Sequence, residues 1–421
     1  MPLTLRFKDK NDIFHQFALL FVIFGRLNNL MYQSDAMFLV VIGVAGIGIL
    51  LKIRTLLDSG LRYPTWLVGF LALYIVSSMW AVDASRTYTN FIATTGRMVV
   101  VLYIFLYMQD MSDVRRVVNI FLSAVVLNSL FVLFVYGPGA LIAVREEMAE
   151  QSAGNNNGIG MSAAWAVVLD WCLGKEPEKK RNPFKLLLYG LLVVMVLLSG
   201  SKKALLILVL SVSVMYILTR RNKLTVTLIV VAVILVVYQV LLAVPSLYRV
   251  VGYRIEEWVQ GTISMLKLDA YTLNDLMDTS LTSSDRVRYN MIFRGLEWAK
   301  EKPILGYGMA NYIILYARTY GNYLYAHNNY IEILVGLGIV GLVWYYSLHT
   351  WIVTRLWKPA KTNRYAKIAM MLMILTLVLD FGLVSYLELP THFVLCIAFF
   401  VAQQVPKNKG AEDDGKTTTI A

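Results

Sequence analysis

The chain has 421 residues, of which 58% are hydrophobic and only 16% are charged, and its formal net charge is +12. Apolar stretches of about 17 or more residues recur from end to end, which is typical of an integral membrane protein and excludes a soluble globular one. We attribute most of the positive charge to membrane topology, so nucleic acid is not an expected partner.

The two ends of the chain and its cysteines carry little functional signal. The first ten residues are polar, and no small-residue cleavage site follows the first apolar stretch, so we expect no cleavable signal peptide. Cys172 and Cys396 both lie inside apolar segments, which predicts neither a disulfide framework nor a cysteine metal site.

Hydropathy predicts about twelve transmembrane helices in a single domain that spans residues 1–421. Their centres fall near Phe21, Gly43, Ala72, Val99, Leu127, Ala166, Leu192, Leu210, Ile234, Leu337, Leu375 and Ile397. An even number of spans puts both termini on one side of the membrane. Most Lys and Arg residues lie in the loops on that side, so the positive-inside rule predicts that both termini are cytoplasmic.

Three basic residues inside or between spans are not explained by this topology. Arg97 lies about nine residues into the fourth span, where an ionisable group is either functional or paired, with Asp380 as the candidate partner. Lys202 and Lys203 follow Ser199-Gly200-Ser201 on the predicted outer side, where the orientation rule disfavours them. These lysines either reach lipid headgroups or bind an anion.

The longest predicted loop, residues 245–326, lies outside the membrane between the ninth and tenth spans. Apolar residues at helical spacing over 247–259 predict an amphipathic helix in the membrane interface. Such a long loop in a compact chain is more often functional than connective.

A second helix in this loop should begin near Ser283 or Ser284, which suit an N-cap, and end before a turn at residues 303–308. Arg286 and Arg288 would then occupy its first turn. A helix N-terminus with arginines beside it is suited to an anion such as a phosphate group.

Five short motifs follow one another on the predicted outer side, within residues 80–345. They are Trp80-Ala81-Val82-Asp83; Gly154-Asn155-Asn156-Asn157; Ser199-Gly200-Ser201-Lys202; Arg288-x(14)-Pro-Ile-Leu-Gly-Tyr-Gly; and Ala326-His327-Asn328-Asn329-Tyr330-Ile331-Glu332, which precedes glycines 336, 338 and 341. In their order, spacing and location they resemble the O-antigen polymerase and O-antigen ligase superfamily of membrane glycosyltransferases. The departure is Lys202, where many members have arginine. We interpret the three glycines as a helix-packing pattern.

This resemblance implies an all-α polytopic membrane protein, similar to the GT-C class, whose external loop 245–326 forms part of the active site. It implies a polymerase that joins undecaprenyl-pyrophosphate-linked oligosaccharide units into O-antigen, capsule or exopolysaccharide, with inversion, on the outer face of the bacterial cytoplasmic (inner) membrane. Chain-length regulator and flippase proteins are implied partners besides the lipid bilayer, and neither a cofactor nor a metal is expected. The alternatives are a ligase that transfers the glycan to lipid A core or another acceptor and, third, a transporter or flippase of lipid-linked sugars.

The pyrophosphate leaving group gains negative charge as the glycosidic bond breaks, so cations aimed at it lower the barrier. Arg288 and Lys202 are the predicted catalytic cations, and Lys203, Arg145 and Arg97 are further candidates for binding the donor pyrophosphate.

The acceptor hydroxyl must lose a proton as it attacks, and histidine accepts protons near neutral pH. His327, at the outer mouth of the tenth span, is the predicted base. Glu332, Asn328 and Asn157 are supporting candidates. The alternatives are that Asn328 simply caps the tenth span, that Glu332 packs against polar groups, and that Asn157 belongs to an ordinary polar loop.

Overall fold

The computed structural model describes residues 10–28, 35–54, 61–143, 156–176, 180, 182–219 and 284–405, with isolated positions between 225 and 243. Within these ranges the regular structure is entirely helical. The helices are α1 (Lys10–Leu27), α2 (Asp35–Leu51), α3 (Arg62–Val76), α4 (Ala84–Tyr107), α5 (Met111–Ala143), α6 (Asn156–Leu173), α7 (Pro183–Ser199), α8 (Lys202–Thr219), α9 (Ser284–Glu301), α10 (Tyr312–Tyr320), α11 (Asn329–Leu356), α12 (Arg364–Leu379) and α13 (Leu389–Gln404).

These helices confirm an all-helical membrane protein. Helix α4, residues Met111–Val135 of α5, and α11 are each long and apolar enough to cross a membrane. Shorter apolar helices are α2, residues Gly158–Leu173 of α6, α7 and α13. A helix covers every predicted span centre except Ile234, which lies outside the described residues. The count of about twelve spans stays a prediction.

Helix α11 is fixed in the bundle by aromatic packing against α3. Trp66 donates hydrogen bonds to the carbonyls of Trp344 and Tyr345, at 3.1 Å each, and Trp344 donates back to the Trp66 carbonyl at 2.9 Å. A Cβ built on Gly69 would lie 2.0 Å from the Trp344 ring, so the glycine makes this close approach possible. In a bilayer such packing and hydrogen bonding, rather than water exclusion, hold helices together.

One end of the bundle carries buried or half-buried ion pairs, and we call it the basic end. Arg116 at the start of α5 lies 3.8 Å from Asp12 of α1. Lys185 at the start of α7 pairs with Asp170 of α6 at 2.7 Å and donates to Asn119 of α5 at 2.5 Å. These basic residues belong to the loops for which the sequence predicts a cytoplasmic location.

At the opposite end, which we call the site end, the turn after α9 is built into α11. Gly338 has a φ of +65°, which interrupts the helical ladder of α11. The freed N–H of Ile339 donates to the carbonyl of Pro303 at 2.8 Å. A Cβ on Gly338 would lie 2.2 Å from backbone atoms of Ile304, so only glycine fits here. Gly336 and Gly338 therefore allow the chain after α9 to approach α11 closely, so at these two positions the glycine pattern serves the turn rather than packing between helices.

The segment before α4 holds the same turn from its other side. Trp80 donates its indole N–H to the carbonyl of Leu305 at 3.1 Å. The N–H of Val82 donates to the carbonyl of Tyr307 at 3.1 Å. The motif at residues 80–83 thus anchors the turn after α9 to the bundle. As predicted, α9 begins at Ser284 and ends before the turn at residues 303–308.

Candidate functional site

A cavity of about 310 Å³ opens at the site end, between α1, α4, α5, α6 and the connection from α12 to α13. Its charged and polar lining consists of Arg26, Arg97, Asn128, Ser162, Tyr325 and Glu388. Two cations and one carboxylate therefore share one small cavity, where charges interact more strongly than in bulk water.

Arg97 is a cavity residue and is not the partner of Asp380. The Asp380 carboxylate accepts hydrogen bonds from Tyr346 at 2.7 Å and from Asn329 at 3.5 Å. Within the described residues, Nη1 of Arg97 is buried and has no hydrogen-bond partner. The predicted alternative of an Arg97–Asp380 pair is wrong, because hydropathy gives the depth of a residue in the bundle but not the direction that its side chain takes.

Arg26 is a second cation that the sequence reasoning missed. It lies in the last turn of α1, is only 8% exposed, and donates from Nη2 to the Ala93 carbonyl of α4 at 3.1 Å. Its guanidinium also lies over the Phe38 ring, 5.6 Å from the centroid. An arginine on the sparsely charged outer side of the first span was the signal that would have identified it.

The Ser-Gly-Ser motif shapes a tight turn between α7 and α8. Gly200 caps α7 in the left-handed conformation with a φ of 58°. The Ser201 hydroxyl accepts a hydrogen bond from the Ala204 N–H at 3.3 Å, at the start of α8. A Cβ on Gly160 would lie 2.1 Å from the Ser199 hydroxyl, so α6 packs directly on this turn. The motif's small residues therefore hold the two lysines at the N-terminus of α8.

Of these two lysines, Lys203 lies near the connection between α12 and α13. Its Cε is 4.0 Å from the position that a Cβ on Gly382 would take, in the connection between α12 and α13. Lys203 also acts electrostatically on Glu388, which lines the cavity.

Glu388 precedes α13 and lines the same cavity as Arg26 and Arg97. Burial raises the pKa of its carboxyl group, while the positive charges of Arg97 and Lys203 oppose that rise. Sequence reasoning missed this residue as well, because an acidic side chain was not expected in a site for an anionic donor.

His327 lies beside the cavity, in a backbone conformation that is rare for its residue type. Its φ is 52°, in the left-handed region, which costs roughly 1–2 kcal/mol for a residue with a Cβ. Its ring packs on Tyr325 with the centroids 3.9 Å apart, and Tyr325 lines the cavity. Strained backbone of this kind is often found at functional sites, where the surrounding structure maintains it.

Two of the supporting candidates maintain that conformation through the backbone. The Glu332 carboxylate accepts a hydrogen bond from the Ala326 N–H at 3.0 Å. Asn328 caps α11 by accepting from the Ile331 N–H at 3.1 Å and donates to the Phe381 carbonyl at 3.3 Å. The contact of Glu332 fixes the backbone just before His327, and the contacts of Asn328 fix it just after.

The remaining predicted site residues are described only in part. Arg288 lies near the start of α9 and Asn157 is the second residue of α6, but both side chains are outside the described part of the structure. Arg145 and the predicted interfacial helix at 247–259 lie outside the described residues. The site that the structure brings together therefore comprises Arg97, Lys203 and His327 from the predicted set.

Residues 187–346 match the family model described as O-antigen ligase. The matched segment runs from α7 to the middle of α11 and includes the lysine turn, α9 and His327. The resemblance to the O-antigen polymerase and ligase superfamily is thereby confirmed, and with it a polymerase- or ligase-type function in a membrane protein. No curated protein matches the chain.

Proposed function

We propose that this chain polymerises oligosaccharide units carried on undecaprenyl pyrophosphate. Its residues 187–346 match the family model described as O-antigen ligase. The observation that carries the proposal is the cavity at the site end. Arg26, Arg97 and Glu388 line this cavity, and Lys203 interacts electrostatically with Glu388. The ring of His327 packs on Tyr325, which also lines the cavity.

The cations serve the donor half of the reaction. In the ground state the pyrophosphate carries about two negative charges, and its terminal phosphate gains another as the sugar leaves. Positive groups that are already oriented in a poorly solvated cavity favour that later charge, and one well-placed donor is worth roughly 3 kcal/mol of barrier. Arg97 and Lys203 suit this role, and Arg288 on α9 is proposed to reach the pyrophosphate from the external side.

His327 serves the acceptor half. A hydroxyl group of the incoming glycan attacks the anomeric carbon from the face opposite the pyrophosphate, and the imidazole takes its proton. One displacement of this kind inverts the anomeric centre. The new glycosidic bond forms as the bond to the pyrophosphate breaks, so the products are the extended glycan on one lipid and undecaprenyl pyrophosphate.

The site end is proposed to face outward from the bacterial inner membrane. The basic end gathers the lysines and arginines that the positive-inside rule assigns to the cytoplasm. Nucleotide-activated sugars are confined to the cytoplasm, so a transferase on the outer face needs a donor that is already activated on a lipid.

The second candidate is a ligase, because the matching family model is described as O-antigen ligase. Polymerase and ligase differ in the acceptor alone, so the same cations and the same base serve both. The acceptor is a second lipid-linked glycan for a polymerase, and a lipid A core or another surface acceptor for a ligase.

The test uses purified protein in nanodiscs with undecaprenyl-pyrophosphate-linked repeat units, with and without a lipid A core acceptor. A ladder of lengthened glycans in both samples supports the polymerase, product only with the core acceptor supports the ligase, and no transfer in either contradicts both. His327→Gln should lose roughly 10²-fold or more in turnover and keep donor binding. Arg97→Gln should lose donor binding.

Arg318→Gln is the matched control for Arg97→Gln. Arg318 is exposed in the last turn of α10 and does not line the cavity, so its loss should leave donor binding unchanged. Turnover of the His327→Gln protein within a few-fold of the parent would exclude His327 as the base.

A further inference from the structure

The carboxylate of Glu388 lies in the same cavity as Arg26 and Arg97, and its charge also interacts with Lys203. An anionic donor must therefore enter a site that already contains a negative group. A carboxylate that only filled space would be costly here, since it repels the ligand that the surrounding cations attract.

The role of this carboxylate follows from the difference in charge between the donor and the product. Before transfer the donor is a pyrophosphate diester, whereas after transfer the product carries a free terminal phosphate with roughly one more negative charge. Cations therefore bind the product more tightly than the donor. A cavity with arginines and a lysine but no carboxylate would retain undecaprenyl pyrophosphate and slow the next cycle.

We infer that Glu388, which shares the cavity with Arg26 and Arg97, weakens the binding of the pyrophosphate product through the charge of its carboxylate, so that the product leaves. The inference rests on the proposed function for its role in turnover. Its electrostatic part, weaker binding of a pyrophosphate group, can be measured without any transfer reaction.

The first measurement is the affinity of the protein in nanodiscs for inorganic pyrophosphate, by calorimetry at low salt. Glu388→Gln keeps the shape of the side chain and removes its charge. The affinity should rise about tenfold or more, the order expected for removing one unit charge at roughly 8 Å with an effective dielectric constant of about 20. Glu388→Asp keeps the charge and should bind pyrophosphate as the parent does.

Glu297→Gln is the matched control. Glu297 lies on α9, pairs with Arg294 and is outside the cavity lining, so the same change in net charge should leave the affinity for pyrophosphate unchanged. Thermal unfolding of each variant checks that it is folded. Glu388→Ala, which is also neutral, replaces the glutamine variant in every measurement if that variant does not fold.

The second measurement separates the chemical step from product release. In the Glu388→Gln protein, the single-turnover rate should not fall, because removing a negative charge from the cavity does not oppose the charge that develops on the pyrophosphate. The steady-state rate should fall, and inhibition by added pyrophosphate should strengthen by the same factor as the affinity. A role confined to folding would not shift these two rates apart.

Two results would overturn the inference. Unchanged or weaker pyrophosphate affinity in a folded neutral variant would remove its electrostatic basis. Loss of the single-turnover rate at unchanged affinity would show instead that Glu388 acts in the chemical step. If the parent transfers no glycan while Glu388→Gln still binds pyrophosphate more tightly, the proposed function fails and the electrostatic part of this inference stands.

Discussion

Replacing Gly338 by alanine tests whether the turn after α9 is fixed to α11 as described. Gly338 has a φ of +65°, and a Cβ on it would lie 2.2 Å from the carbonyl carbon and oxygen of Ile304 and 2.6 Å from the Leu305 nitrogen. These are backbone atoms of a turn that Trp80 also holds through its hydrogen bond to the Leu305 carbonyl. The turn therefore has to move as a whole to admit a methyl group.

The expected cost has two parts. Holding an alanine in the left-handed region costs roughly 1–2 kcal/mol. Forcing a methyl group into filled space costs about 1–3 kcal/mol. The variant should therefore be less stable by roughly 2–5 kcal/mol, which lowers the melting temperature by about 2–6 °C for a chain of 421 residues.

The assay is thermal unfolding of purified protein in one lipid nanodisc preparation, followed by intrinsic fluorescence. Gly46→Ala is the matched control, since a Cβ on Gly46 of α2 meets nothing within 4 Å. Alanine is also the better helix former there by up to about 1 kcal/mol, so the control should melt at or slightly above the parent temperature. Equal melting temperatures for Gly338→Ala and Gly46→Ala would refute the proposed docking of the turn.

Two further predictions concern the lysine turn and the orientation of the chain. Lys203→Ala should weaken binding of undecaprenyl pyrophosphate more than Lys202→Ala, because Lys203 interacts electrostatically with Glu388, which lines the cavity; titration of the two variants tests this, and a larger loss for Lys202→Ala would contradict it. Cysteines introduced at Lys179 and Lys267 should react with an impermeant reagent from opposite sides of the membrane, since the positive-inside rule places these loops apart. Labelling of both from outside intact cells would contradict the topology.

The helices were predictable because hydropathy is a local property of the sequence. The start of α9 at Ser284 and its end before Pro303 followed from a capping side chain and from a residue that cannot continue a helix. Each of these signals acts within a few residues, so no knowledge of the neighbouring helices was needed.

The make-up of the cavity was less predictable because its polar side chains come from distant parts of the chain. Arg26, Arg97 and Glu388 belong to the first helix, the fourth helix and the segment before the last one. Their depth in the membrane was readable from hydropathy, but the side of the helix that faces the cavity depends on how the helices pack. For the same reason the sequence left a pair between Arg97 and Asp380 open as an alternative, whereas Asp380 accepts a hydrogen bond from Tyr346.

The short helices at the C-terminal end also place the cavity at a depth that suits a lipid-linked donor. Helices α12 and α13 have 16 residues each, so each extends about 24 Å, less than the roughly 30 Å hydrocarbon core of a bilayer. If the basic end lies at the cytoplasmic surface of the bilayer, the connection between these helices lies at or below the opposite surface. This connection contributes Glu388 to the cavity. Under the proposed function, a polyprenyl chain would hold its pyrophosphate at that level, and the donor would reach the cations of the cavity without leaving the bilayer.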